Sequence, residues 1–263
     1  MSTSSPTGVL SVDGIAMVPD SEWKWDEGSK EFSVGYKPIL FKGTGVVFHP
    51  DLSFGTAAAR VNKPLTSSTI AYWEIRVPHP LFGTSIMFGI GTKDARTTLP
   101  ISFNDLLGED DCSIGLNHNG KLLFSGEKFD FCDPLSSGKP EGVTLGVLFN
   151  GPQASLTFFN DGIKLGTVSP KLDLSQTYYP MVASTAQRSH FYIVRQLVAP
   201  PICPTLFESA VKRVARMVVC DEAVNYLPVP TNIKHSLYQQ MRLIHIHNGY
   251  SSNSYDLDSD CVL

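Results

Sequence analysis

Charge is scarce in this 263-residue chain: Asp, Glu, Lys and Arg together make up 17% of it, and the formal net charge is -4. Such a balance offers no basic field to a nucleic-acid backbone, and the basic residues form no run except around Lys212, Arg213 and Arg216. Cysteine signals are equally thin. The five cysteines, Cys112, Cys132, Cys203, Cys220 and Cys261, are odd in number, scattered and contain no C-x-x-C pair, so they read as reduced thiols and neither as a disulfide framework nor as a zinc site. No apolar run approaches the ~18 residues a membrane span requires. The opening "MSTSSPTGVLSVDG" has neither the basic flank nor the apolar stretch of a signal peptide, and no N-x-Ser/Thr acceptor occurs. These absences predict a soluble chain working in the cytoplasm, the nucleus or both.

Catalytic motifs are missing as well. There is no G-x-S-x-G elbow; "FGIGTKD" lacks the third glycine of a dinucleotide loop, and "SSGKP" lacks the upstream Gly and the Ser/Thr of a phosphate loop. His245 and His247 are two apart on a stretch with helical spacing, which points them to different sides of a helix and spoils them as metal ligands. The expectation is a chain with no active site, no metal and no cofactor of its own.

What the chain does contain is apolar sequence, 42% of its residues, arranged mostly with the period of a strand. In "AYWEIRV", Trp73, Ile75 and Val77 alternate with Tyr72, Glu74 and Arg76, which buries one face of a sheet. Asn119-Gly120 separates two apolar runs and predicts a hairpin whose two central residues take positive φ; the "NDG" of residues 160–162 predicts a second hairpin between Leu156–Phe159 and Ile163–Leu165. Many short strands with Gly and Pro in the joints predict a mainly β fold, an antiparallel β-sandwich. Residues 1–20 read as a flexible arm, although "GVLSV" has the pattern of an edge strand, and residues 21–197 as the sandwich. Pro200, Pro201 and Pro204 mark its end.

Beyond them the period changes to about 3.6 residues. Leu206, Ala210, Val214 and Met217 or Val218 recur on one stripe, widened by Phe207 and Val211, and Thr205 with Glu208 forms a capping box. A helix of ~15 residues is marginal alone in water, so the stripe requires a partner. "YLPVP" should be extended because each proline restricts itself and the residue before it. Ile233, Leu237, Met241 and Ile244 predict a further helix capped by Thr231 or Asn232. Residues 198–247 thus form a helical module, and the Ser/Asn/Asp-rich 248–263 a flexible tail.

"YWEIRV", "FGIGT", "ASLTFFNDGIKLGTV" and "YYPMVASTAQRS" together resemble the SPRY domain, a β-sandwich of protein recognition, and the C-terminal block resembles a SOCS box, a small α-helical module. That order of parts resembles the SPRY domain-containing SOCS box protein family. The resemblance implies a non-catalytic substrate receptor of a Cullin–RING ubiquitin ligase. Its SOCS box would dock Elongin B/C through Thr205, Leu206, Ala210 and Val214, with Ala210 standing where Cys is usual. Leu227, Pro228, Val229 and Pro230 resemble the cullin-box sequence associated with Cullin 5, Cullin 2 being the alternative. By the same resemblance, a pocket for a short Asn-containing segment of the target maps to His49, Pro50, Thr84, Phe103, Leu106, Thr185, Ala186 and Gln187. Phe103 replaces a Tyr and Ala186 a Trp of better-studied members. Each pocket residue has a plainer reading: Phe103 and Leu106 as core, Thr84 as a turn residue, His49 as an exposed loop residue and the neighbouring Arg188 as solvated surface. A SPRY adaptor that assembles no ligase, and a jelly-roll-like sandwich with a ligand cleft, stand as alternatives.

Overall fold

A computed structural model of the chain describes residues 10–21, 23–26, 39–135, 140–200, 206–218, 222–231, 233–238 and 241, with the backbone alone at 206–209, 212 and 216. Two compact units divide the chain, Met1–Pro200 and Pro201–Leu263. In chain order the first unit contains β1 (Leu10–Val12), β2 (Ile15–Pro19), β3 (Ile39–Lys42), β4 (Gly45–Phe48), β5 (Gly55–Arg60), β6 (Ile70–Val77), β7 (Ile86–Gly91) and β8 (Thr98–Pro100). It continues with β9 (Ser113–Asn117), β10 (Lys121–Phe124), β11 (Glu127–Asp130), β12 (Val143–Asn150), β13 (Ser155–Asn160), β14 (Ile163–Val168), β15 (Tyr179–Ser184) and β16 (Ser189–Val198).

These strands form two sheets. One has the order β1-β2-β16-β6-β12-β13-β14, with β4 also pairing to β16 and β3 to β4; the other runs β11-β10-β9-β7-β15-β5-β8. The alternation read from "AYWEIRV" decides which face is inside. Trp73, Ile75 and Val77 join Phe88, Ile90, Val147, Phe149 and Phe191 in one core. Burying each such side chain contributes about 1.5–3 kcal/mol. Phe191 meets Phe48 edge-on, with ring centroids 5.2 Å apart.

Both sheets also bury part of their outer faces. Tyr72, on the opposite side of β6 from Trp73, packs with Met17, Leu148, Phe159 and Leu197. Met17 comes from the β1–β2 hairpin, which pairs along β16 through Pro19 opposite Leu197 and Val18 opposite Val198. Residues 10–19 are therefore part of the sheet and not of a flexible arm, and Leu10–Val12 is the edge strand that "GVLSV" suggests. The signal for them is Asp13-Gly14, whose φ values of 50° and 80° suit a two-residue hairpin turn. On the other sheet Leu106, Leu107 and Leu123 cover Ala58, Met87, Met181 and Ala183.

The two expected hairpins form, by different turns. Asp161 and Gly162 both take positive φ, 50° and 80°. At the other tip only the glycine does: Gly120 has φ +79° while Asn119 does not, and the Gly120 N–H donates to the Asn117 carbonyl at 3.0 Å. The Asn117 side-chain oxygen accepts from the N–H groups of Asn119 and Lys121, each at 3.0 Å. That capping favours a three-residue loop over the two-residue turn expected from Asn119-Gly120.

In the second unit α1 spans Leu206–Met217 and α2 Ala223–Tyr226, with helical backbone again at 231, 233–238 and 241. Val211, Ala215, Val224, Leu237 and Met241 form its core, and Val218, Leu227, Ile233 and Tyr238 pack around it. At four residues α2 is too short for a periodic signal. The prolines do not make a straight extended segment: Leu227 is extended, with φ -66° and ψ 133°, but the Val229 N–H donates back to the Leu227 carbonyl at 2.8 Å, closing a three-residue turn. Ile244, Asn232 and the Thr205 half of the expected capping box lie outside the described residues.

Candidate recognition edge of the sandwich

Four loops meet at one end of the sandwich: 49–54 between β4 and β5, 78–85 between β6 and β7, 101–112 between β8 and β9, and 185–188 between β15 and β16. Thr185 ties three of them together. Its Oγ1 accepts from the Ser85 N–H at 3.0 Å and the Thr84 N–H at 3.1 Å, and donates to the Ser85 carbonyl at 3.1 Å. Its own carbonyl accepts from Ser53 Oγ at 2.7 Å. The Thr84 hydroxyl donates to the Phe103 carbonyl at 2.8 Å, joining the fourth loop.

A second set of bonds fixes the neighbouring backbone. His49 is buried, has φ +47°, and places Nε2 2.9 Å from the Ser184 carbonyl. Burial pulls its pKa below the ordinary histidine value, and the carbonyl offsets that only in part. The His49 carbonyl accepts from the Arg188 N–H at 3.1 Å, and the Pro50 carbonyl from Arg188 Nε at 3.2 Å. Gln187 Nε2 donates to the Asp51 carbonyl, and the Ala186 N–H to Ser184 Oγ at 3.0 Å. Under Thr84, Ser85 Oγ donates to Asp105 at 2.7 Å, while Asn117 at 3.0 Å and Lys128 at 2.6 Å donate to the other oxygen of the same carboxylate.

All eight residues singled out from the sequence, His49, Pro50, Thr84, Phe103, Leu106, Thr185, Ala186 and Gln187, therefore sit on this bonded set of loops. Leu106 turns away from the rim. It is 2% exposed in the core beside Met87, leaving no surface for a peptide. His49, Thr185 and Ala186 are also buried, so they shape the edge from beneath. Ala186 packs closely: a Cβ placed on Gly83 would come within 3.1 Å of the Ala186 Cβ and 3.0 Å of Thr185 Oγ1. A side chain as large as Trp at 186 would have to displace that loop. What the edge presents outward is Phe103, 44% exposed, together with Leu52, Phe54, Phe82 and Ile101. Sequence reasoning missed these four, and the scaffolding Ser53, Ser85 and Asp105. Their roles depend on partners far along the chain, and no local pattern reports them.

In the second unit Leu206 opens α1, Ala210 is exposed and Val214 is 38% exposed. Met217 continues their row and is 73% exposed. The row that the unit itself buries is the adjacent one, Val211 and Ala215. Leu227 and Val229 are half-buried, Pro228 and Pro230 exposed; the Pro230 carbonyl accepts from the N–H groups of Ile233 and Lys234 at 3.0 and 3.1 Å. Thr205 lies outside the described residues. Among the described residues no group of three or more His, Cys, Asp or Glu is placed to hold a metal ion.

Comparison with known proteins bears on both units. The family model described as "SPRY domain" matches residues 70–196. The SPRY domain-containing SOCS box protein 3 of Xenopus tropicalis is 30% identical over 244 residues, covering 92% of this chain and 64% of that protein. Its namesake from Xenopus laevis is 30% identical over 221 residues, covering 84% of this chain and 58% of that one. Residues 70–196 are thus similar to the SPRY domain, and most of the chain is similar to two SPRY domain-containing SOCS box proteins. It spans about three fifths of the length of those relatives. Among solved structures, a human SPRY domain superposes with a TM-score of 0.47 at 16% identity, covering 60% of this chain and 96% of that one. Thr84, Phe103, Thr185, Ala186 and Gln187 fall inside the SPRY match, whereas His49 and Pro50 precede it and α1 lies beyond it.

Proposed function

We propose that this chain is the substrate-recognition subunit of a Cullin–RING ubiquitin ligase. Its second unit docks Elongin B/C and Cullin 5, or Cullin 2 in its place. Its SPRY edge holds a short Asn-containing segment of the target, which is then ubiquitinated and degraded by the proteasome. The observation that carries the reading is the division of α1 into two apolar rows. Val211 and Ala215 are spent on the unit's own core, while Ala210, Val214 and Met217 stay uncovered. An uncovered apolar row next to a satisfied one is what a helix offers to another polypeptide. The names of the two relatives include a SOCS box, which supports the reading.

At the SPRY edge, loops held by their own hydrogen bonds on a rigid sandwich offer a pre-formed surface to a target segment. An Asn amide offers donors and acceptors, and a site that pairs them all rejects look-alikes because its own polar groups would be left unpaired. The chain runs no chemistry. It raises the effective concentration of the target's lysines near a ubiquitin-charged enzyme.

A second reading, a SPRY adaptor without ligase assembly, is favoured by Ala210, which offers less apolar surface than the Cys of the SOCS-box pattern. Co-expression of the full chain with Elongin B/C decides between them. A stoichiometric complex that Val214→Asp abolishes supports the ligase reading. A folded, monodisperse chain that ignores Elongin B/C overturns it in favour of the adaptor.

A further inference from the structure

At the end of the sandwich to which loop 78–85 also belongs, a cleft of about 750 Å³ opens between residues 130–135, at and beyond the end of β11, and the β13–β14 hairpin. Asp130, Phe131, Asp133, Asn160, Lys164 and Leu165 are among its lining. Its chemistry is lopsided. Lys164 is engaged by Asp13, with Nζ 2.8 and 2.9 Å from the two carboxylate oxygens, and Asp130 is paired with Lys121. Asp133 is exposed and makes no ion pair or hydrogen bond among the described residues. Asn160 Oδ1 is shut away from solvent with no hydrogen-bond donor among the described residues. Among the described residues the cleft thus has a surplus of acceptors and one negative charge without a partner. Cys132 already registers that charge, its thiol pushed up first by burial and then by Asp133.

Phe131 completes the wall. Its ring is held edge-on to Phe158, with centroids 5.6 Å apart, and packs over Gly166, where a Cβ would come within 2.9 Å of it. A half-buried ring beside Leu165 covers the methylene stem of a long side chain and offers a π face to its cationic head.

We infer that this cleft binds a basic side chain, arginine or lysine, presented by a partner polypeptide. The inference does not depend on ligase assembly or on the Asn-segment reading of the recognition edge.

The test uses the full chain, isotope-labelled for NMR, titrated with N-acetyl-arginine methylamide and, in parallel, with its neutral isostere N-acetyl-citrulline methylamide. The arginine compound should shift the amides of 131–135 and the Asn160 side-chain amide saturably. It should bind at least tenfold tighter than the citrulline compound, and more weakly as salt is added. Asp133→Lys, at an exposed position, should abolish the shifts while leaving the rest of the spectrum in place, and Asp133→Asn should weaken binding at least threefold. Equal binding of arginine and citrulline, no saturable shift at this cleft, or wild-type binding by Asp133→Lys would each overturn the inference.

Discussion

Thr84 and Thr185 stand 101 positions apart in the chain, yet their hydroxyl oxygens lie 3.1 Å from each other. The contact joins the loop entering β7 to the loop leaving β15, and through Phe103 it reaches the loop after β8. Because Thr185 is 5% exposed, its hydroxyl is a structural joint beneath the recognition edge. Substitutions at the joint and at the exposed rim should therefore behave differently.

Thr185→Val keeps the shape of the side chain but strands the N–H of Ser85 in a buried place. We expect a loss of about 1–3 kcal/mol in urea unfolding, with Thr185→Ser close to wild type because it retains the oxygen. An unchanged urea midpoint for the valine variant would show that the joint adds nothing to stability.

Phe103→Asp acts at the rim. With 44% of the residue in solvent, the change should leave the unfolding midpoint within about 0.5 kcal/mol of wild type while abolishing capture of a bound target in pull-downs. Elongin B/C should still co-purify. Joint loss of both partners would place Phe103 in the fold and not in recognition.

Ile101 is 89% exposed and has φ +63°, a conformation β-branched residues avoid. Ile101→Asn should raise stability by about 1 kcal/mol, since Asn tolerates that region and little packing is lost. A fall in thermal midpoint would mean that the isoleucine is held by contacts worth more than the strain.

The two rows of α1 should separate cleanly. Val214→Asp should leave the second unit folded and remove Elongin B/C. Val211→Ala, in the buried row, should destabilise the unit by about 2 kcal/mol through lost transfer energy and a small cavity. Hydrogen exchange over residues 206–241 distinguishes the two.

Acid should weaken the first unit in a defined window. Burial pulls His49, His118 and His190 below 6.5, the value for an unperturbed histidine. The unfolded chain then binds more protons than the folded one as pH drops, so the contribution is complete above 6.5 and is lost as pH falls through 6.5 toward the folded values. Urea midpoints should be level from about pH 8 to 7 and decline below about 6.5. A midpoint that rises on acidification through that window would contradict the burial argument.

Local pattern carried the sandwich well. Trp73, Ile75 and Val77 face the core as their alternation requires, and Asp161-Gly162 turns the β13–β14 hairpin. Other features were hidden from it. Asp13-Gly14 is as strong a turn pair as Asp161-Gly162; "GVLSV" shows the edge strand before it, but the return strand Ile15–Pro19 has no clean alternation. The family resemblance maps Leu106 to the pocket and its plainer reading is core; the loop turns it inward onto Met87, as the plainer reading has it. In α1 the periodic stripe through Ala210 and Val214 was legible. That the adjacent row of Val211 and Ala215 would be the buried one depended on Val224, Leu237 and Met241, which no short window contains.

β16 is the last strand of the first unit to be made, and it lies in the interior of the nine-stranded sheet, pairing with β6 on one side and with β4 and β2 on the other. A ribosome must therefore release the whole span from β2 to β16 before that sheet can close, and until then β2, β4 and β6 wait with unpaired edges. Folding of the nascent chain should be slow and late, and a chain cut short just before β16 should be prone to aggregate.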